Sequence, residues 1–379
     1  SAGGNADGNG FGDFKYSVPT GFLALCSANL PVSDDIDPAG DNGTTENPTK
    51  QFSSVLYTGN DGAQSVTGVG FKPDLVWIKA RNSAQHYAMF DSSRGALKRI
   101  GSSRTNAEDT DSSFLSSFDT DGFSWSTGGD NTQNGSYNYV GWCWKANGGT
   151  TATNNDGSIT STVQANDKAG FSIITWTASG ANGSIGHGLS AKPDWHIIKK
   201  RNDTSGWAVY HKSLGATKYY RLDTNSSAST FQYTYNNTEP DATKIYLGDN
   251  GLTNHPSGDT YVCYAWREVE GYSKFGTYTA NGNSDGPFIY TGFRPRMLFI
   301  RRYSGTDSSF VIDTARETKN VNGDFLFWDS NQTESSSSLL DILSNGFKLR
   351  TTSASLNPSG TELIWGAWGD VPFKYNNTF

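Results

Sequence analysis

One short phrase occurs three times in this chain, and it constrains the fold more than any other feature. "GFKPDLVWIKAR" (Gly70 to Arg81) returns as "LSAKPDWHIIKKR" (Leu189 to Arg201) and as "GFRPRMLFIRRY" (Gly292 to Tyr303). Its prolines, Pro73, Pro193 and Pro295, lie 120 and 102 residues apart. A closing aromatic phrase carries Trp144, Trp266 and Trp368 at intervals of 122 and 102. Between them, "HYAMFDSSRG", "GWAVYHKSLG" and "SSFVIDTARE" are again spaced 120 and 102, and Phe52, Phe171 and Phe275 stand before each proline in turn. Self-similarity at a fixed interval marks repeated structural units. Four anchors in one order define three homologous units of about a hundred residues each.

Each unit reads as strands. Phe52 to Thr58 and Phe171 to Thr177 are β-branched and aromatic runs that end in Gly/Asn turns. Leu75 to Ile78 and Met297 to Ile300 are apolar at every position, which places such a strand between two packed layers or beside a neighbouring unit. "TDGFSWST" and "SNGFKLRT" set Asp-Gly or Asn-Gly before an aromatic strand, a hairpin signal. Only Arg94–Arg99 and Leu339–Leu343 allow a helical turn. The expected fold is all-β: three tandem homologous β-sandwich domains, jelly-roll-like, after a short N-terminal β segment. The expected boundaries are 1–50, 51–150, 151–271 with a linker strand within 151–169, and 272–379. The second linker, Arg267 to Ser273, leaves little slack, so the last two units are expected to pack together.

Composition agrees. Aromatic residues make up 13% and charged residues 18% of 379 residues, with 43 glycines, the mix of a folded chain with many turns. The net charge of −7 comes with no basic stripe, so nucleic acid finds no electrostatic footprint. No apolar run is long enough to cross a bilayer as a helix, and no membrane insertion is expected. Ser1 begins no signal peptide, and a processed or truncated chain is expected. Cys26, Cys143 and Cys263 fit neither a disulfide framework nor a metal site, and Cys143 and Cys263 read as small buried hydrophobes. The eight Asn-x-Ser/Thr sequons, including Asn42 and Asn376, carry no weight in a chain so rich in these residues.

The stretch "FGDFKYSVPTGFLALCSANLP" (Phe11 to Pro31) resembles the closing strands of SPRY-like domains in phage proteins. The three units resemble a repeat domain that recurs in structural and tail-fibre-like proteins of marine tailed phages. "GFKPDLVWIKAR", "GHGLSAKPDWHIIKKRN", "WAVYHKSLGATKYYRL", "EVEGYSKFGTYTANGNSDGPFIYTGFRP" and "NGFKLRT" carry that resemblance, from about Phe52 to Phe373. It implies a virion protein made in the bacterial cytoplasm, a fibre or adhesin segment assembled as a homotrimer with other virion proteins and contacting host-surface glycan. It supplies no catalytic residues and no cofactor.

The residues themselves point the same way. A glycosidase needs two carboxyls about 5–10 Å apart. The only close Glu pair, Glu268/Glu270, opens an inter-unit linker and reads as a solvated strand end. No GxSxG elbow is present, and His86, His187, His196, His211 and His255 form no metal-binding spacing. "DTDG" at Asp119 to Gly122 lacks the oxygen ligands of a calcium loop and reads as a turn. Asp91 with Arg94, and Asp313 with Arg316, read as a partly exposed local ion pair of little energetic weight; unit two has His211 and Leu214 instead. Trp144, Trp266 and Trp368 recur and read as core. Trp125, Trp207, Tyr219, Tyr220 and Trp328 do not recur cleanly and are the candidates for glycan contact, because sugars present C–H faces that stack on aromatic rings. The cationic tails Lys79/Arg81, Lys199/Arg201 and Arg301/Arg302 read as strand ends emerging into water, with inter-unit salt bridges as their one functional role to test. The expected function is a non-enzymatic virion fibre or adhesin segment. A carbohydrate-binding module array is the alternative, and a depolymerising tailspike a more distant one.

Overall fold

The computed structural model describes residues 3–26, 29, 48–128 and 132–369. Among them there is no α-helix; the only helical turn named as an element is the 3-10 turn Pro48–Lys50, and the protein is all-β. Residues 339–343 belong to the Ser335–Leu343 strand, and the 94–99 stretch is a turn entering the Lys98–Arg99 strand, so neither helical expectation holds. The expected N-terminal strands are also missing from residues 3–26, where Asn5 and Phe14 form an isolated bridge. The remainder of the Phe11–Pro31 motif, the sequons at Asn42 and Asn376, and positions 370–379 of the third segment lie outside the described residues.

The same four-strand order occurs three times, antiparallel throughout. In the first repeat Phe52–Thr58 pairs with Asn138–Trp144, which pairs with Leu75–Ala80, which pairs with Ala88–Asp91. The second repeat runs Phe171–Thr177, Thr260–Trp266, Trp195–Lys200, Trp207–His211. The third runs Ser273–Thr279, Glu362–Trp368, Met297–Arg301, Phe310–Asp313. Register refines one anchor. Phe52 and Phe171 lie opposite Trp144 and Trp266, but Ser273, not Phe275, lies opposite Trp368. Both glycine-turn hairpins form, with Asp119 opposite Gly122 and Leu343 opposite Gly346.

The doubly apolar strands are explained by two cores. Val76, Ile78 and Ala80 face a core private to the first repeat, as Ile198 does in the second and Leu298 and Ile300 in the third. Their alternate neighbours, Leu75 and Trp77, Trp195 and Ile197, Met297 and Phe299, all enter one core shared by the three repeats. Alternation along a strand sends successive side chains to opposite faces, so apolar residues at every position mean that both faces are covered.

At the centre of the shared core Trp144, Trp266 and Trp368 form a triangle. Their centroids are 5.5, 5.7 and 5.9 Å apart, with each pair edge to face. Around it the repeats divide volume differently. The cross-strand pair Ser54–Trp142 is small against large, Ile173–Tyr264 is intermediate, and Phe275–Gly366 is large against small. A Cβ on Gly366 would lie 2.4 Å from Phe299 and 2.7 Å from Phe275, so that glycine is required by packing. Counted from the bridges at Ile100, Tyr220 and Leu326, three further equivalent positions hold Ser102, Leu222 and Trp328, all buried.

Trp368→Ala removes one side of the triangle and should cost about 3–5 kcal/mol, the range for deleting a buried aromatic. Because the core is shared, amide exchange should accelerate in the Phe52–Thr58 and Phe171–Thr177 strands as well as in the third repeat. Acceleration confined to the third repeat would refute a common core.

Candidate functional site

Among the described residues, the ion pairs with both side chains fully buried stand at the seams between repeats. Asp91 and Arg94 form an ion pair with both side chains fully buried. Arg94 donates from Nη1 to Glu108 at 3.0 Å, and Glu108 accepts from Nε of Arg201 in the second repeat at 2.9 Å. The Tyr264 hydroxyl, also from the second repeat, donates to Asp91 at 2.6 Å. The seam between the third and first repeats has the same construction. Asp313 pairs with Arg316 at 2.6 Å, Arg316 with Glu334 at 2.9 Å, and Glu334 with Arg81 of the first repeat at 2.6 Å. Trp142 Nε1 of the first repeat donates to Asp313 at 3.0 Å. Corresponding backbone bonds, Glu108 N–H to Arg201 O and Glu334 N–H to Arg81 O, are both 2.7 Å.

At the seam between the second and third repeats that backbone bond recurs from Ala228 to Tyr303, again at 2.7 Å. Every charged member is gone. His211 and Leu214 replace the Asp–Arg pair, Ala228 the glutamate and Tyr303 the arginine. His211 accepts from Ser213 N–H at Nδ1, which leaves Nε2–H to donate to the Trp365 carbonyl at 3.1 Å. Burial holds this imidazole down to about 4, so it is neutral. Among the described residues this seam has no ionic chain, and the buried cation that crosses it, Arg301, donates to backbone carbonyls. The other two carry buried ionic chains.

These chains correct the sequence reading of Asp91/Arg94 and Asp313/Arg316 as partly exposed local pairs. Burial by itself raises the Asp313 carboxyl, but the Arg316 guanidinium outweighs it and holds it below the usual carboxylate range. Glu108 is lowered in the same way, with Arg201 and Arg94 overcoming burial. The cationic tails divide, with Arg302 pairing inside its own repeat with Asp307 and the other five falling into two kinds. Arg81 and Arg201 make the inter-repeat salt bridges, whereas Lys79, Lys199 and Arg301 are buried rather than solvated. Lys199 donates across its seam to Thr105 O at 3.2 Å, Arg301 to Thr224 O and Ser226 O, and Lys79 to Ser83 O at 3.1 Å. Burial pushes both lysines down to about 8.

Four of the five aromatics expected to contact glycan are interior. Trp125 packs on Phe123 and Tyr57 in the first repeat's own core. Trp207 donates from Nε1 to Gly101 O of the first repeat at 3.0 Å. Tyr220 accepts from Trp195 Nε1 at 3.3 Å, with the Arg301 guanidinium 4.8 Å from its ring. Trp328 lies stacked against Trp77 at 4.7 Å and Trp195 at 5.6 Å. A ring with no exposed face cannot stack on a sugar. Tyr219 alone is only partly buried, packed against the second repeat's own core in the short Lys218–Tyr219 strand. Trp207, Tyr220 and Trp328 meet in the shared core, so they differ between repeats because they fill one common space.

The acidic candidates are also occupied with structure. Glu268 pairs with Lys212 and accepts from Phe275 N–H at 2.9 Å. Asp121, in the "DTDG" turn, accepts from the Gly68 and Gly70 N–H groups at 3.0 and 2.6 Å. No cluster of His, Cys, Asp or Glu suited to a metal occurs among the described residues. Cys143 and Cys263 are buried thiols.

Fold and seams together define an all-β protein of three repeats interlocked through one core. A family model described as a domain of unknown function (DUF7483) matches residues 47–372, and the chain belongs to that family. The matched span covers all three repeats, so the family's unit is the interlocked body rather than the single repeat. None of the curated proteins compared with the chain matches it.

Arg316→Met strands Asp313 as a buried, uncompensated charge and should cost about 3–5 kcal/mol. Copying the four uncharged positions of the other seam, with Asp313→His, Arg316→Leu, Glu334→Ala and Arg81→Tyr together, should recover most of that loss in urea unfolding. A quadruple variant no more stable than the single one would show that the ionic chain is not a replaceable unit. The lysines give a pH test. A folded value of about 8 for Lys79 and Lys199 lies below the ordinary ~10.4, so between the two the unfolded chain holds more protons and stability rises with pH. The buried Cys143 and Cys263 thiols and buried tyrosines such as Tyr264, whose values burial raises, act in the opposite sense but are common to the wild type and a Lys199→Met variant. The urea midpoint of the wild type should therefore rise relative to that of Lys199→Met from about pH 7.5 to about pH 9.5. A difference between the two that does not change with pH would contradict it.

Proposed function

We propose that this chain is a non-enzymatic structural segment of a virion, of the tail-fibre or adhesin kind, built from three homologous β-sandwich repeats and contacting the host surface. The virion setting rests on the resemblance of its repeat motifs and of the Phe11–Pro31 stretch. The observation that carries the structural reading is the use made of the buried charge. Asp91, Arg94, Asp313 and Arg316 are fully buried and spent on joining one repeat to the next. An enzyme aims its reactive charged groups into a cleft, whereas these four are closed inside seams. Such a body transmits load between repeats as one piece, which suits a fibre or a surface appendage.

Homotrimeric assembly with other virion proteins remains part of the proposal, and the single chain already supplies three repeats around a common centre. Sedimentation equilibrium of the purified chain tests it. A trimer fits a fibre shaft or tip, and a monomer redirects the reading to a decoration or adhesin module. Release of reducing sugar from host polysaccharide, abolished by Glu268→Gln, would overturn the non-enzymatic reading in favour of a tailspike. The carbohydrate-binding alternative is favoured by one observation, an exposed tyrosine in an open cleft.

A further inference from the structure

The third repeat extends its four strands into an eight-stranded sheet that begins with Ser273–Thr279 and ends with Phe288–Tyr290. The sheet curls until these two ends face one another without pairing. Between them lies a cleft of about 390 Å³, lined by Ser273 and Lys274 on one side, Tyr290 and Thr291 on the other, and Glu268 and Glu270 from the linker. We propose that this cleft is a pyranose-binding site, with Tyr290 as the stacking platform.

Comparison with the second repeat explains why the cleft is open. There the equivalent gap is filled by the linker hairpin Ala152–Asn154/Ser161–Asn166. Ile159 bridges Ile185, and Ser161 Oγ donates to Gly186 O at 3.0 Å. Ile185 lies opposite Ile245 as Ile289 lies opposite Phe347 and Val66 opposite Phe123, so Gly186, Tyr290 and Thr67 are equivalent positions. At Gly186 a Cβ would lie 1.7 Å from Asn154 Oδ1 of the hairpin, so the bare glycine is what lets the Asn154 side chain sit over this position. The linker before the third repeat, Arg267 to Ser273, is too short to lay down a hairpin. At the position left uncovered the chain places a tyrosine that is 58% exposed, with Phe288 exposed beside it.

The wall chemistry selects the ligand class. Lys274 Nζ lies over the Tyr290 ring, 5.0 Å from its centroid, and offers donors above that face of the platform. Glu268 offers a carboxylate held in place by Lys212 and by Phe275 N–H, and Glu270 adds a second. A pyranose carries a C–H face for an aromatic ring and a girdle of hydroxyls that both donate and accept. Two carboxylates in a chain of net charge −7 disfavour phosphorylated or otherwise anionic ligands. The volume is at the low end of the ~300–1,000 Å³ range for small-molecule sites and suits one or two sugar units.

This deepens the host-recognition part of the proposed function and rests on it. Calorimetric titration and saturation-transfer NMR of the full chain would use two- to four-unit oligosaccharides of glucose, galactose, mannose and N-acetylglucosamine, together with a synthetic peptide copying residues 151–166. At least one saccharide should bind, and Tyr290→Ala should weaken it about 10-fold or more with an unchanged melting temperature. Lys274→Ala should weaken it as well, whereas Tyr233→Ala, which removes an exposed ring of the second repeat, should not. Saccharide binding untouched by both cleft variants would overturn the site while leaving host recognition standing. A wild-type chain that binds none of the saccharides would overturn both, and binding of the peptide alone would make the cleft a strand acceptor instead.

Discussion

The fold depends on three tryptophans meeting edge to face. Trp144, Trp266 and Trp368 close the central strand of each repeat, and each one's ring is covered by the other two. A single repeat could bury its outward residues in its own core, but Trp77, Trp195 and Phe299 would stay in water without the neighbouring sheets. Fully burying a large aromatic or aliphatic side chain contributes roughly 1.5–3 kcal/mol. A repeat on its own would forgo that gain at several positions at once. The units are therefore repeated in sequence but joint in stability.

The seams show which contacts the chain must specify. The second and third repeats are joined by a few residues, Arg267 to Ser273, so tethering alone keeps them at high effective concentration. Among the described residues their seam carries no ionic chain, and Arg301 donates across it to backbone carbonyls. The third and first repeats are joined by no direct link, and their seam carries the buried chain Asp313–Arg316–Glu334–Arg81. Buried ion pairs add little net stability but penalise a wrong partner heavily, since any mispairing leaves a charge uncompensated. The first seam is also ionic although covalently linked. Its linker is long, with a hairpin lying on the second repeat, so it restrains the pair less.

Much of the architecture was legible in the sequence, because strand anchors such as Pro73/Pro193/Pro295 and Trp144/Trp266/Trp368 recur at fixed intervals. Apolar residues at both parities of Leu75–Ile78 already required two covered faces. The seams were legible only in part. Asp91/Arg94 and Asp313/Arg316 were visible as recurring pairs, but Glu108 and Glu334 lie well downstream on loops that share no motif. The joint change to His211, Leu214, Ala228 and Tyr303 was the available signal, and it can be read only once the four positions are known to touch. Lys79, Lys199 and Arg301 misled because a cation at a strand end normally surfaces. Here backbone carbonyls meet it first, those of the neighbouring repeat for Lys199 and Arg301 and Ser83 O of its own repeat for Lys79.

Non-recurrence misled in the same way, and its cause bears on why one chain carries all three repeats. Ser102, Leu222 and Trp328 occupy equivalent positions facing a common centre. Three identical chains would place three identical residues there. Three tryptophans would collide, while three serines would leave a void at a cost that grows with its volume. One chain can give the place to a single large ring, stacked on Trp77 and Trp195, and make the other two positions smaller to suit. The same logic sets Ser54 against Trp142 and Phe275 against Gly366. Fusion of the repeats frees each equivalent position to take a different size, and the well-packed centre is built from those differences. Residues that depart from the repeat are thus packing solutions where they face the centre. Only where they face water, as Tyr290 does, do they become candidates for recognition.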